Sequence, residues 1–217
     1  MGGLDPPIQL VLDVPSKSGR KMPRSQSLFA TRLTRAKLAS RHNAMLEKTC
    51  LAIAAEDKAG RRWAKSHGYG GYTSYASLND LITRASIFAE LERDIAKHVA
   101  AFARDAQFDF NGRKLKLDSL WINVMKKGAI HAPHIHPHSV VSGTYYVTAP
   151  ESSGAIRFED PRLGLLMAAP PKKKSARPEN QTFISVTPQP GIQGKFIFCY
   201  LKYKIFTVFI QADNYPW

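Results

Sequence analysis

Four of the seven histidines, His131, His134, His136 and His138, fall within eight positions of "GAIHAPHIHPHSVVSGTYYV", and no histidine follows them. Neutral imidazole is a borderline ligand that Zn, Fe, Ni and Cu all accept, so metal binding is the first chemistry such a cluster raises. In an extended segment residues two apart project from one face, which sets His134 and His136 side by side as a two-point grip on one ion. His138 continues that face, although Pro137 marks an edge or a bend, and His131 is more loosely placed. The plain alternative is a loop whose histidines face solvent or are hydrogen-bonded.

The elements that must position the pair change character along the chain. Residues 1–24, rich in Pro, Gly, Ser and Lys after one strand candidate at "IQLVLDV", read as an arm of uncertain order. Residues 25–110 read as a helical N-terminal part. Helical composition runs from about Ser27 to Glu56, "WAKSHGYGGYTSY" is an aromatic, Gly-rich loop, and Phe88, Leu91, Ile95, Val99 and Phe102 form one apolar stripe at helical spacing. After Asn111 the period changes to two. "LKLDSLWINVMKKG" alternates as a half-buried strand, with Leu120, Ile122 and Val124 on one side and Trp121, Asn123 and Met125 on the other. "SGTYYVTAP", "GAIRFEDP" and "TFISVTPQPG" are further short strand candidates bounded by Pro and Gly. Helices followed by a run of strands predict an α+β layout, an antiparallel barrel or sandwich carried on helices, with the histidines at its mouth.

The stretch "LWINVMKKGAIHAPHIHPHSVVSGTYYVTAPESSGAIRFEDPR" resembles the core of the 2-oxoglutarate and Fe(II)-dependent oxygenase family that carries H-x-H-P-x-S-x-x-S-G-x-Y-Y-V. Upstream "WAKSHGYGGYTSYASLNDL" and downstream "MAAPP" and "FISVTPQPG" are similar to its bacterial branch. The resemblance implies a double-stranded β-helix, or jelly-roll, over residues 111–217, whose mouth holds Fe(II), 2-oxoglutarate and a small-molecule or peptide substrate. It assigns His134 and His136 to the metal, with His136 standing where many 2-oxoglutarate oxygenases have Asp or Glu. Ser139, Ser142 and Tyr145 are then expected to line or support the cosubstrate pocket, with Asn123 and Tyr146 as secondary candidates.

The resemblance stops at the tail, residues 192–217. The family places a third metal-binding His and a carboxylate-gripping Arg after the "PQPG" turn, whereas "IQGKFIFCYLKYKIFTVFIQADNYPW" contains neither. Three accounts are open. A shifted frame or a truncation leaves an incomplete site; Lys202 or Lys204 replaces the Arg while Glu159 or Asp160 supplies an oxygen ligand; or the four clustered histidines hold the metal alone. "KFIFCYLKYKIFTVFI" is also β-prone, interrupted by three lysines, and exposed it would promote aggregation.

A formal net charge of +14 favours anionic partners, which keeps a nucleic-acid-binding module in view, with Tyr69, Tyr72 and Tyr75 as stacking candidates. Lys37, Arg41 and Lys48 would share a face if helical. A cupin-like metal or small-molecule binding barrel is a further alternative, since Gly128 lies six residues before His134, although the Glu of the cupin motif is absent. Cys50 and Cys199 are too few and too distant for a disulfide framework and read as core thiols. The N-terminus has no secretory pattern and the apolar tail is too short and charged for a membrane span, so a cytoplasmic location is expected.

Overall fold

The computed structural model describes residues 26–38, 42–136, 139–150 and 153–188, and the backbone of two strands at 195–199 and 205–211. The apolar stripe becomes α4, Ser86–Asp105, whose Phe88, Leu91, Ile95, Val99 and Phe102 are all buried. Two more helices, α1 (Asn43–Glu56) and α2 (Lys58–Ser66), and a single turn, α3 (Leu81–Arg84), complete the layer that packs on the sheet.

That sheet has six strands in the order β1-β7-β4-β8-β3-β2. They are β1 (Leu33–Lys37), β2 (Gly71–Thr73), β3 (Leu120–Met125), β4 (Ser142–Thr148), β7 (Lys195–Cys199) and β8 (Ile205–Gln211). The remaining pair, β5 (Ile156–Glu159) and β6 (Phe183–Val186), forms an antiparallel ribbon, and one short helix, α5 (Leu163–Leu166), lies between them. Leu120, Ile122 and Val124 of β3 and Tyr145 and Val147 of β4 join the helices in one core. Trp121, Asn123 and Met125 leave the opposite face of β3, as strand alternation requires.

Several expectations are corrected. Every residue of β3 is buried, so the strand is covered on both faces rather than half-buried. Residues 33–37 are strand and helix begins only at Asn43, because β1 pairs antiparallel with β7 from Leu33↔Cys199 to Lys37↔Lys195, and that distant partner overrides local helical composition. Lys37 and Lys48 therefore share no helical face. The expected combination of helices and sheet is present, and the described strands are paired as one six-stranded sheet and one ribbon. The sheet is also mixed: β8 runs parallel to both β3 and β4. The physical reason lies in "IFTVFIQ", an almost unbroken run of β-branched and aromatic residues, which suits a central strand covered on both faces and places the tail in the middle of the sheet.

Asp57 joins the helices to the loop that approaches the histidines. It caps α2 by accepting from the Gly60 N–H at 2.9 Å, and its second oxygen accepts from the hydroxyls of Tyr72 (2.8 Å) and Ser77 (2.5 Å). Burial tends to raise the Asp57 pKa, but the hydrogen bonds from Gly60, Ser77, Tyr72 and Ala59 outweigh it and hold the carboxyl below its ordinary value. Ser74 extends β2, exchanging N–H and hydroxyl bonds with the Ile122 carbonyl and N–H at 3.0 and 2.9 Å.

Candidate metal centre

The loop after β3 carries His131, His134 and His136 back over the face of the sheet that bears Trp121 and Asn123. A left-handed Gly128, φ +77°, turns the chain there. His134 and His136 meet with Nε2 atoms 3.2 Å apart and rings nearly perpendicular, centroids 4.6 Å apart. Two imidazole nitrogens bound to one ion at about 2.1 Å each and separated by this distance subtend about 100°, between the octahedral and tetrahedral angles.

Each ring is held by something. His134 Nδ1–H donates to the Ala132 carbonyl at 2.8 Å, which leaves the Nε2 lone pair directed at His136. His136 packs against Trp121, centroids 5.8 Å apart, and Trp121 is met edge-on by Tyr75 at 5.2 Å. Burial first, then the neighbouring His134, lowers the His136 pKa to about 4, so this imidazole is neutral at pH 7. A cation held by both Nε2 atoms requires the His136 proton to sit on Nδ1 of its ring.

His131 stands beside them, its ring 4.6 Å from that of His134, but its Nδ1 contacts the Tyr69 hydroxyl at 2.7 Å. Burial, then His134 and His136, lowers its pKa to about 4. Tyr69 also donates to Asn123 Oδ1 at 2.9 Å. Among the described residues no three His, Cys, Asp or Glu side chains converge as a metal cage, and the donor set they supply is the His134–His136 pair. It fits an ion that takes two cis imidazoles and fills its other positions from elsewhere.

The other candidates separate by face. Asn123 and Tyr146 pair with the same β8 position, Phe209, and Ser142 lies on the Tyr146 side of β4 by strand alternation. Tyr146 is half-buried, and burial pushes its hydroxyl up to about 12. Ser139 is buried just ahead of β4. Tyr145 departs from its expected role: it points into the helical core, where its hydroxyl donates to Asn43 Oδ1, because its position in β4 assigns it to the face opposite Tyr146. Asp160 is held by Arg162 through paired bonds at 2.9 and 2.8 Å, and Glu159 is exposed on the ribbon; neither is in a cage with the histidines. His138, Lys202 and Lys204 lie outside the described residues.

Of the tyrosines read as stacking platforms, Tyr72 is buried and bonded to Asp57, Tyr69 is turned to Asn123 and His131, and Tyr75 alone of the three is exposed. The partnership of Tyr69 with Asn123 and His131 is the feature that residue types did not reveal. Its signal was the glycine pair beside it. A Cβ at Gly71 would stand 2.2 Å from the Val124 carbonyl oxygen and one at Gly70 2.8 Å from Ala129 Cβ, so only glycine lets this loop close on β3 and the histidine segment.

Residues 119–196, from the start of β3 into β7 and including both members of the pair, match the family described as Putative 2OG-Fe(II) oxygenase. No curated protein matches the chain. The helical part before this segment and most of the tail lie outside the match. Among the described residues no helix is long and apolar enough to cross a membrane.

Proposed function

We propose that the chain is a non-haem oxygenase domain that binds Fe(II) through His134 and His136 and uses 2-oxoglutarate as cosubstrate, with a small molecule or a peptide as substrate. The observation that carries this reading is the 3.2 Å approach of the two Nε2 atoms within the segment that matches the oxygenase family. When bound, Fe(II) with 2-oxoglutarate and O2 supplies oxidative attack on a substrate C–H bond.

The remaining work falls to the side chains. His134 is oriented by Ala132, so its ligating nitrogen is fixed before any ion arrives. His136 is kept neutral by burial and is held against Trp121, which Tyr75 meets edge-on. The face of the sheet bearing Asn123, Tyr146 and Ser142 is the wall on which the cosubstrate lies.

The site is weaker than that of a complete oxygenase. No histidine or arginine follows Gly191, so a third imidazole and a guanidinium clamp are absent from the tail, and slow turnover or none is expected. A donor pair to which the described residues add no third protein ligand also suits a second reading, a domain that binds metal or a small molecule without turnover. Calorimetric titration of the protein with Fe(II) under argon, repeated with His134→Ala and His136→Ala, tests the metal assignment. Saturable binding of one ion that either variant abolishes supports it, and binding unchanged in both variants contradicts it. Succinate formation from 2-oxoglutarate then separates the two readings.

A further inference from the structure

The ribbon of β5 and β6, with the excursion that joins them, keeps out of the core: from Gly154 to Ser185 no residue is buried. Its short helix α5 buries nothing, and Leu163, Leu165 and Met167 stand 60%, 68% and 89% exposed. Phe29, 88% exposed, comes from the far end of the sequence to share a shallow depression with Leu163 and Leu165. Single exposed apolar residues are ordinary, whereas a cluster of them marks a contact surface. A two-stranded ribbon with no covered face is also marginal in water and gains by docking on something.

The same excursion carries charge of one sign. Between Pro161 and Gln181 stand Arg162, Lys172, Lys173, Lys174 and Arg177 against the single carboxylate of Glu179. Arg162 is taken by Asp160 at 2.8 Å and Arg177 by Glu179 at 3.2 Å. The three lysines are exposed, and Lys172, after Arg162, helps to hold the Asp160 carboxyl below its ordinary value. What covers the surface must therefore suit aliphatic side chains and lysines together. A single-stranded nucleic acid pairs its phosphates with lysine but stacks its bases on aromatic rings, and Leu163, Leu165 and Met167 offer it none. Lysine is depleted from protein interfaces relative to the rest of the surface. The headgroup boundary of a bilayer takes both features, apolar side chains at the acyl edge and lysines on anionic headgroups.

We infer that the β5–β6 excursion docks the protein on an anionic lipid surface, with Phe29, Leu163, Leu165 and Met167 entering the headgroup boundary and Lys172, Lys173 and Lys174 lying on the lipid phosphates. The contact is a surface attachment and not a span. With so few inserted side chains it is weak, reversible and salt-sensitive. It stands apart from the oxygenase reading, since it uses none of the residues assigned to the metal or the cosubstrate.

The test is flotation of the full-length protein with vesicles of phosphatidylglycerol and phosphatidylcholine in equal parts, with pure phosphatidylcholine vesicles for comparison. Because the whole chain carries a net charge of +14, a matched variant removes three exposed lysines elsewhere, Lys65→Gln, Lys114→Gln and Lys116→Gln together. The expected result is flotation with the anionic vesicles alone. Lys172→Gln, Lys173→Gln and Lys174→Gln together should weaken it at least about tenfold, since each lysine near such a surface contributes about fivefold, and the matched variant should weaken it less than about threefold. Leu165→Asp with Met167→Asp should also weaken it at least about tenfold at unchanged Tm. If that double variant fails to fold, Met167→Ser takes its place with a loss of about threefold. No flotation, equal losses in the two lysine variants, or flotation indifferent to the apolar variants overturns the inference. A dimer that the apolar variants break, in a protein that does not float, gives the surface to a second copy. Lysine-dependent binding of a single-stranded oligonucleotide without flotation gives it to nucleic acid, and either result overturns the lipid assignment.

Discussion

His136 sits under two constraints, a neighbouring imidazole at 3.2 Å and an indole on its flank, and both favour the neutral ring. Its folded pKa of about 4, and that of His131, lie below the value of about 6.5 expected in the unfolded chain. Between these values the unfolded state binds more protons, so stability falls as pH drops through this window and is level above it. Thermal unfolding of the metal-free protein should thus show a Tm that declines from pH 6.5 to 4, and His136→Gln should flatten the decline. A Tm equally steep in the variant would place the titration elsewhere. For metal binding the same residues predict that His134→Ala or His136→Ala weakens Fe(II) affinity more than about 100-fold, since loss of even an outer partner costs 10–100-fold. Residue types and the spacing of two were enough to find this pair. They were not enough to separate His131 from it, because the Tyr69 hydroxyl that occupies His131 comes from a loop 62 positions away.

At the scale of elements, Asp57 and the GYGG turn decide whether the Tyr69 loop reaches β3. Replacing Asp57 by Ala removes a helix cap and leaves the buried Tyr72 hydroxyl without its acceptor, a loss of about 2 to 4 kcal/mol measurable by urea unfolding. Gly60→Ala attacks the same junction from the other side, since its Cβ would lie 2.3 Å from Asp57 Oδ2 and 2.9 Å from the Thr73 carbonyl oxygen. It should destabilise although alanine is the better helix former. Helix α4 was legible from its stripe, and Phe88→Ala there should cost about 3 to 5 kcal/mol. Strands β3 to β6 were legible from alternation and from Pro and Gly punctuation. Strand β1 was not: "LTRAK" carries no strand pattern of its own and is extended because β7 pairs with it. The glycines of the Tyr69 loop were visible as a turn, but the carbonyl that Gly71 approaches, that of Val124, belongs to a strand more than fifty residues on.

For the whole molecule, the tail is the decisive segment. Its strand β8 fills the position between β3 and β4, parallel to both, where antiparallel neighbours were expected. Local pattern could show that "IFTVFIQ" is strand, but not which gap it fills, because parallel neighbours are set by non-local pairing. Deleting residues 204–217 would bare the facing edges of β3 and β4, and the shortened chain should be recovered as aggregate on size-exclusion chromatography. A soluble monomer would mean that β8 is dispensable. The same tail carries no histidine or arginine, so the proposed function rests on what two histidines and one sheet face can hold together. Anaerobic addition of Fe(II) to the protein with 2-oxoglutarate tests that most directly. The account predicts a weak visible charge-transfer band of the chelated keto acid, absent in His134→Ala and His136→Ala. A folded protein that shows no such band, or one that persists in both variants, would contradict it.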